Sequence, residues 1–122
     1  MENSQDPRIQ IPADLDRVEQ EIHDAAKERI KEIKKETKED IKSIKKEMKD
    51  LKQESKDKLE TYKDMMEDRD DPTAKEKIHV AKETHKVIEK DIDNDYKQTK
   101  AKLEKERDHK IESIENMLED KD

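Results

Sequence analysis

The stretch from Ala13 to Glu67 contains neither glycine nor proline, and this feature most limits what the chain can fold into. Glycine supplies positive φ angles and proline interrupts helices, so a chain that lacks both over such a length has few means of making tight turns. The remainder of the sequence contains no glycine either. The stretch therefore predicts one long helix instead of several short elements.

The composition argues against a globular core. Of the 122 residues, 27% are hydrophobic and 53% are charged, and the only aromatic side chains are two tyrosines. A globular domain of this length is built around large apolar side chains, which usually include aromatic ones. Long helices that bury one narrow apolar seam are the ordered solution that remains.

Apolar residues recur at steps of three and four, which is the spacing of one helix face. In the first half the seam consists of Leu15, Val18, Ile22, Ala26, Ile30, Ile33, Ile41, Ile44, Met48, Leu51, Leu59, Tyr62 and Met66. In the second half it consists of Ala74, Ile78, Ala81, His85, Ile88, Ile92, Tyr96, Thr99, Leu103, Arg107, Ile111, Ile114 and Leu118. The steps lean toward eleven-residue repeats, which predict straight or hendecad-like packing.

The sequence EDRDDPTAKEK is the clear interruption between the two halves. Pro72 disfavours a helical conformation in the residue before it, while Asp71 is a good N-cap and Pro72 a good first helical residue. Asp70, Asp71 and Pro72 are therefore predicted to form the tip of a hairpin. The predicted elements are helix 1 at about 13–68, a turn at about 69–72 and helix 2 at about 72–120.

A short loop between two long helices makes them antiparallel neighbours. The predicted fold class is therefore all-α: a long antiparallel two-helix coiled-coil hairpin. Pairing residues symmetrically about the break sets Ser55 opposite His85, a polar notch that we expect to fix the register of the seam. The same register places Lys49 against Asp93 and Lys52 against Glu89, among other opposite charges on the flanks.

Residues 1–12 contain Pro7 and Pro12 and predict an extended N-terminal arm ahead of the hairpin, which covers residues 13–122. The register leaves the start of helix 1 without a partner on helix 2. This overhang makes an apolar docking segment at the open end of the hairpin, or else a frayed terminus. The partner-docking candidates are Ile9, Ile11, Leu15 and Val18.

No set of residues predicts a catalytic, cofactor or metal site. Carboxylates are many, but a general acid or base needs a pocket that shifts its pKa, and a two-helix rod offers none. The chain has no cysteine and no two histidines at i, i+4, so a zinc site is not expected. The motif DIDNDY resembles half of a calcium loop but lacks its glycine and closing glutamate. We expect no enzyme, no cofactor and no metal.

Charge and hydropathy limit the partners. The 29 basic and 36 acidic residues are finely interleaved and give a net charge of −7, so general binding to nucleic acid is not expected. The start MENSQDPRIQIPADL has no apolar signal segment, and no run approaches the ~20 apolar residues of a membrane span. The expectation is a protein without secretion signal or transmembrane segment, in the cytoplasm or in a viral or phage particle.

These features predict a non-catalytic structural, scaffold or adaptor protein. It would act by self-association, as a homo-oligomer of paired hairpins, or by binding a protein partner at the open end. One alternative is a chaperone or stress protectant, and another is an acidic decoy of nucleic-acid-binding proteins. The segment TAKEKIHVAKETHK resembles the eleven-residue repeats of late-embryogenesis-abundant protectants, a resemblance that implies a chain disordered until it dries or meets a membrane. The seam is richer in Ile, Leu and Met than those repeats.

Overall fold

A computed structural model of the chain describes residues 7–119, with side chains from Leu15 onward. These residues form two helices, α1 (Pro7–Glu67) and α2 (Ala74–Glu119), which pack against each other as the predicted all-α hairpin. The described part of the chain contains no strand. None of its helices is long and apolar enough to cross a membrane.

The N-terminal boundary of α1 differs from the expected one. The helix begins at Pro7 instead of near residue 13, so residues 7–12 of the predicted extended arm form its first turns. Pro7 at the first helical position loses no hydrogen bond, because the first N–H groups of a helix have no partner within the helix. Residues 1–6 of the predicted arm lie outside the described residues.

The turn between the helices is slightly longer than the sequence predicts and spans residues 68–73. At the end of α1 the N–H of Asp68 donates to the carbonyl of Asp64, at 3.1 Å, and the N–H of Arg69 donates to that of Met66, at 3.3 Å. The first of these hydrogen bonds spans four residues and the second spans three. This change tightens the last turn and satisfies carbonyls that the helix leaves free. The helix therefore stops without a glycine.

The chain divides into two compact units, and each has its own part of the seam. We call the residues up to Thr37, with those from Glu106, the terminal unit, and Lys38–Lys105 the turn unit. In the terminal unit Ile33 is 4% exposed and Thr37 is also buried. The half-buried side chains around them follow the predicted spacing: Ala26, Ile30, Ile111, Ile114 and Leu118.

In the turn unit the seam runs up to Met66, which is 4% exposed. Its half-buried members lie where the sequence predicts: Ile41, Ile44, Met48, Leu59 and Tyr62 on α1, and Ala74, Ile78, Ala81, Ile92, Tyr96 and Leu103 on α2. The predicted seam residues Leu51, Ile88 and Thr99 are exposed instead. A contact between only two helices covers a narrow stripe, so apolar residues at its edge keep much of their surface in water.

Candidate functional site

A polar layer of Ser55, His85 and Glu89 crosses the seam of the turn unit. The Oγ atom of Ser55 on α1 lies 2.8 Å from Nδ1 of His85 on α2. The Nε2 atom of the same imidazole lies 2.6 Å from Oε1 of Glu89, one helical turn further along α2. The His85 side chain is only 14% exposed, so its ring nitrogens depend on these protein partners. The structure therefore brings together the two residues of the predicted polar notch and adds a third.

The layer satisfies the imidazole of His85 in either protonation state. In the neutral ring, Nε2–H donates to the Glu89 carboxylate and the Ser55 hydroxyl donates to Nδ1. In the imidazolium both ring nitrogens donate, and the Ser55 hydroxyl turns to accept. Because the hydroxyl can reverse its role, protonation leaves no group of the layer without a partner.

A hydroxyl, an imidazole and a carboxylate are also the groups of a serine hydrolase triad. There the imidazole uses Nε2 for the nucleophile and Nδ1 for the carboxylate, the reverse of the arrangement of Ser55, His85 and Glu89. Acyl transfer further needs hydrogen-bond donors aimed at a developing oxyanion. The backbone N–H of Ser55 lies in the interior of α1, where the helical ladder uses such groups. The geometry of the layer fits helix pairing better than acyl transfer.

The polar layer is suited to fixing which turn of α1 faces which turn of α2. Sliding one helix by a single turn, about 5.4 Å, would separate Ser55 from His85 and leave both half-buried polar groups in an apolar seam. Glu89 was not recognised from the sequence as part of this site. The signal that would have identified it is its i, i+4 spacing from His85 on one helix face.

The cross-helix charge pairing differs from the predicted one. Lys52 contacts Asp93, with 2.5 Å between Nζ and Oδ1, and so the predicted pairs Lys52 with Glu89 and Lys49 with Asp93 are wrong. Glu89 is held by His85, and the four-carbon stem of a lysine reaches an acceptor one turn further along the opposite helix. The residue directly opposite a lysine on the other helix is therefore not always the acid with which that lysine pairs.

At the tip, Asp71 caps the N-terminus of α2. One oxygen of its carboxylate accepts from the backbone N–H of Thr73, at 2.8 Å, and from the Thr73 hydroxyl, at 2.7 Å. The other accepts from Nζ of Lys77, also at 2.8 Å. Pro72 follows directly, and Asp70 lies exposed in the turn ahead of it. The predicted capping by Asp71 is present, while the contribution of Lys77 was not foreseen.

These contacts shift the acid–base equilibria of the cap. The hydrogen bond from Lys77 comes first, followed by those from Thr73, and together they hold the pKa of the Asp71 carboxyl well below its usual value of 3.8. The same hydrogen bond and the charge of Asp71 raise the pKa of Lys77 above 10.5. Ionised partners make the shortest and strongest bonds of a cap, so the charged forms of both groups are favoured.

Apolar side chains remain exposed at the open end of the hairpin, in the terminal unit. Leu15 is 52% exposed, Val18 43% and Ile22 53%. Their i, i+3, i+7 spacing places them on one face of α1, which we call the open-end face. The other two docking candidates, Ile9 and Ile11, lie outside the residues whose side chains are described.

Neither a metal site nor a match to known proteins adds to this picture. Among the described residues, no group of three or more histidine, aspartate or glutamate side chains is arranged to hold a metal ion. No protein-family model, no curated protein and no solved structure matches the chain.

Proposed function

We propose that the chain is a non-catalytic scaffold or adaptor that works by self-association or by holding a protein partner at the open end of its hairpin. The observation that carries this proposal is the open-end face. Leu15, Val18 and Ile22 have the spacing of seam residues, yet each keeps more than two fifths of its surface exposed. In helix-in-groove recognition, a partner binds apolar side chains that lie on one face of a helix and are not covered within the molecule itself.

The small amount of buried surface supports the same role. Among the described residues only Ile33, Thr37 and Met66 are buried. Most of the stability of a helix in a protein comes from packing its apolar face, so two helices with so few buried side chains gain from any partner that binds the folded form. The absence of cysteine agrees with a reducing compartment, and we place this role in the cytoplasm or in a viral or phage particle.

The test compares two single substitutions at equally exposed apolar positions. Leu15→Asp puts a charge on the open-end face, and Val87→Asp puts the same charge on α2 of the turn unit, where Val87 is 59% exposed. Self-association is measured by sedimentation over a wide concentration range, and partner binding by affinity purification from the native host. We expect Leu15→Asp to lose the partner that the open-end face recovers and Val87→Asp to retain it, while association of the wild type in sedimentation would support the self-association arm of the proposal.

Two results would contradict the proposal. The first is a chain that stays monomeric and recovers the same proteins with Leu15→Asp as without it. The second is a circular dichroism spectrum without helix in dilute buffer, which would favour the stress-protectant alternative, because a protectant of that kind folds only when it dries or binds a membrane.

A further inference from the structure

One side of the turn unit is basic. Lys49, Lys52, Lys56 and Lys63 line a groove of about 610 Å³ together with Glu89. Further lysines extend this surface at helical spacing, and we call the whole set the basic side: Lys42, Lys45, Lys49, Lys52, Lys56 and Lys63 on α1, with Lys86, Lys97 and Lys100 on α2. Glu60 of α1 and Glu89 of α2 line this groove and Asp93 pairs with Lys52, so four lysines face three acids.

The other side of the same unit is acidic. Asp50, Glu54 and Asp57 line a second groove, of about 530 Å³, beside Tyr62 and Met65. Lys58, which pairs with Glu54 at 3.1 Å, is the one basic residue of its described lining. Glu47 continues the row on α1 and lines a further groove with Asp95 of α2. We call these acids, with the exposed Met65, the acidic side: Glu47, Asp50, Glu54 and Asp57 on α1, with Asp95 on α2.

Many of these charges have no opposite charge nearby within the molecule. Lys42, Lys45 and Lys49 make no ion pair within 4 Å with any described residue, and the same holds for Glu47 and Asp50. Charged side chains normally pair with an opposite charge on the same helix or across the seam. Here like charges lie together on each side, which leaves two surfaces of opposite sign available to a partner.

The row of lysines and the row of acids on α1 have the same sequence spacing. The lysines at 42, 45, 49, 52 and 56 are spaced by three, four, three and four residues, and the acids at 47, 50, 54 and 57 by three, four and three. Each of the first four lysines is followed five residues later by one of the acids. The spacing of the lysines along the basic side therefore matches the spacing of the acids along the acidic side.

We propose that the occupant of the basic side is the acidic side of a second copy of this chain. The inference rests on the self-association in the proposed function and names the surfaces that perform it. Two basic sides would repel each other, as would two acidic sides, so a two-fold contact of like surfaces is disfavoured. The contact therefore joins the basic side of one copy to the acidic side of another.

Apolar atoms add to this contact. Met65 is half exposed beside Asp57 and Tyr62, and the aliphatic stems of lysines cover apolar surface while their charged heads reach carboxylates. Since exposed charges supply the selectivity, the association weakens as salt shortens the screening length, which is about 8 Å at physiological ionic strength.

The experiment exchanges charges on the full chain. One variant, Lys45→Glu/Lys49→Glu, makes the basic side acidic, and the other, Glu47→Lys/Asp50→Lys, makes the acidic side basic. These residues make no ion pair within the described part of the molecule, so the hairpin loses none. The control, Lys35→Glu/Lys46→Glu, changes the net charge as the first variant does, at exposed positions eleven residues apart on another face of α1. Circular dichroism checks that every variant remains helical.

Sedimentation at low salt measures the outcome. We expect each charge-reversed variant alone to associate about tenfold more weakly than the wild type, the equimolar mixture of the two to recover association, and the control to match the wild type. Association that neither variant weakens overturns this inference but leaves self-association in place. A wild type that is monomeric at low salt also overturns it, and binding at the open-end face is then judged by the Leu15→Asp test alone. Loss of inorganic polyphosphate binding by the first variant, without any change in self-association, would assign the basic side to a polyanion instead.

Discussion

Ser55 Oγ and His85 Nδ1 lie 2.8 Å apart although thirty positions separate the two residues in the sequence. The bond joins the last quarter of α1 to the first third of α2 and continues to Glu89 through the other ring nitrogen. In a seam built mainly from interchangeable aliphatic side chains, this layer is the contact that only one alignment of the helices satisfies. Several consequences of this arrangement and of the capped turn can be measured.

Ser55→Ala removes the partner of His85 Nδ1 and leaves a half-buried nitrogen without it. We expect the free energy of unfolding to fall by about 1 kcal/mol, which is the usual effect of losing one such hydrogen bond. The measurement is urea unfolding followed by circular dichroism. Ser43→Ala, an exposed serine of the same helix, is the matched control, and equal effects of the two substitutions would contradict a structural role for the layer.

Replacing both partners, as in Ser55→Ala/His85→Leu, has a different expected outcome. An apolar layer of similar size leaves no half-buried nitrogen or hydroxyl unpaired, and the Glu89 carboxylate, 41% exposed, can bind water instead, so the stability of the double variant should equal or exceed that of the wild type. The register, however, would lose the contact that specifies it. Spin labels or fluorophores on α1 and α2 would then report more than one distance between the helices, whereas a single unchanged distance would show that the seam alone sets the register.

The cap at Asp71 predicts a pH dependence at the acid end. Because hydrogen bonds from Lys77 and then Thr73 lower the pKa of Asp71 in the folded chain, its contribution is present above the ordinary pKa of 3.8 and is lost as pH falls below it. Asp71→Asn should therefore be less stable than the wild type at neutral pH, and the difference should shrink as pH falls below about 4. Thermal unfolding at several pH values measures this, with Asp70→Asn as control, and a difference independent of pH would contradict the account.

The hydrogen bond between Lys77 and Asp71 also predicts a loss of stability at alkaline pH. The pKa of Lys77 is raised in the folded chain, so its contribution is full below its ordinary value of 10.5 and is lost as pH rises through the folded value. A Lys77→Met variant should lack this alkaline loss. Both effects concern one pair of groups, so the two single variants and their double variant together measure the coupling between them.

The buried part of the terminal unit predicts a larger effect. Ile33 is 4% exposed, and Ile33→Ala removes three carbons from the seam, so we expect a loss of about 2 kcal/mol or more in the free energy of unfolding. Val87→Ala, at a side chain that is 59% exposed, should change it by less than about 0.5 kcal/mol. Urea unfolding of both variants checks the order, and similar losses would mean that the seam does not pass through Ile33.

The ion pair of Lys52 with Asp93 distinguishes the observed pairing from the one that the sequence suggests. A double-mutant cycle with Lys52→Met and Asp93→Asn should give a coupling energy of about 0.5 kcal/mol, since both side chains are partly exposed. The equivalent cycle of Lys52 with Glu89 should give a value near zero. A larger coupling to Glu89 than to Asp93 would overturn the pairing in the structure.

Helices, turn and seam were predictable because their causes are local. A chain without glycine, with proline confined to Pro7, Pro12 and Pro72, has few places to leave a helix, and Asp71 carries its own capping chemistry. The spacing of apolar residues then fixes which face of each helix is buried. Pairing residues symmetrically about the turn was sufficient to place Ser55 opposite His85, because the regular spacing of the seam residues allows few alignments of the two helices.

The start of α1 and the edges of the seam were less predictable. Pro12 allowed the helix to begin near residue 13, yet Pro7 suits a first turn equally well, and the structure uses the earlier one. Leu51 and Ile88 share the spacing of buried residues, but their exposure depends on how wide a stripe two helices cover.

By itself, then, the sequence determined an all-α hairpin, the position of its turn, the face that each helix buries and the pairing of Ser55 with His85, because backbone preference and apolar periodicity act at short range. The tertiary structure alone decided that Glu89 completes the polar layer and that Lys52 selects Asp93, whereas the rows of like charge on α1 already follow from the spacing of residues in the sequence. Long charged side chains have several acceptors within reach, and the differences in energy among them are small. Only the actual distances between the two helices choose among those acceptors.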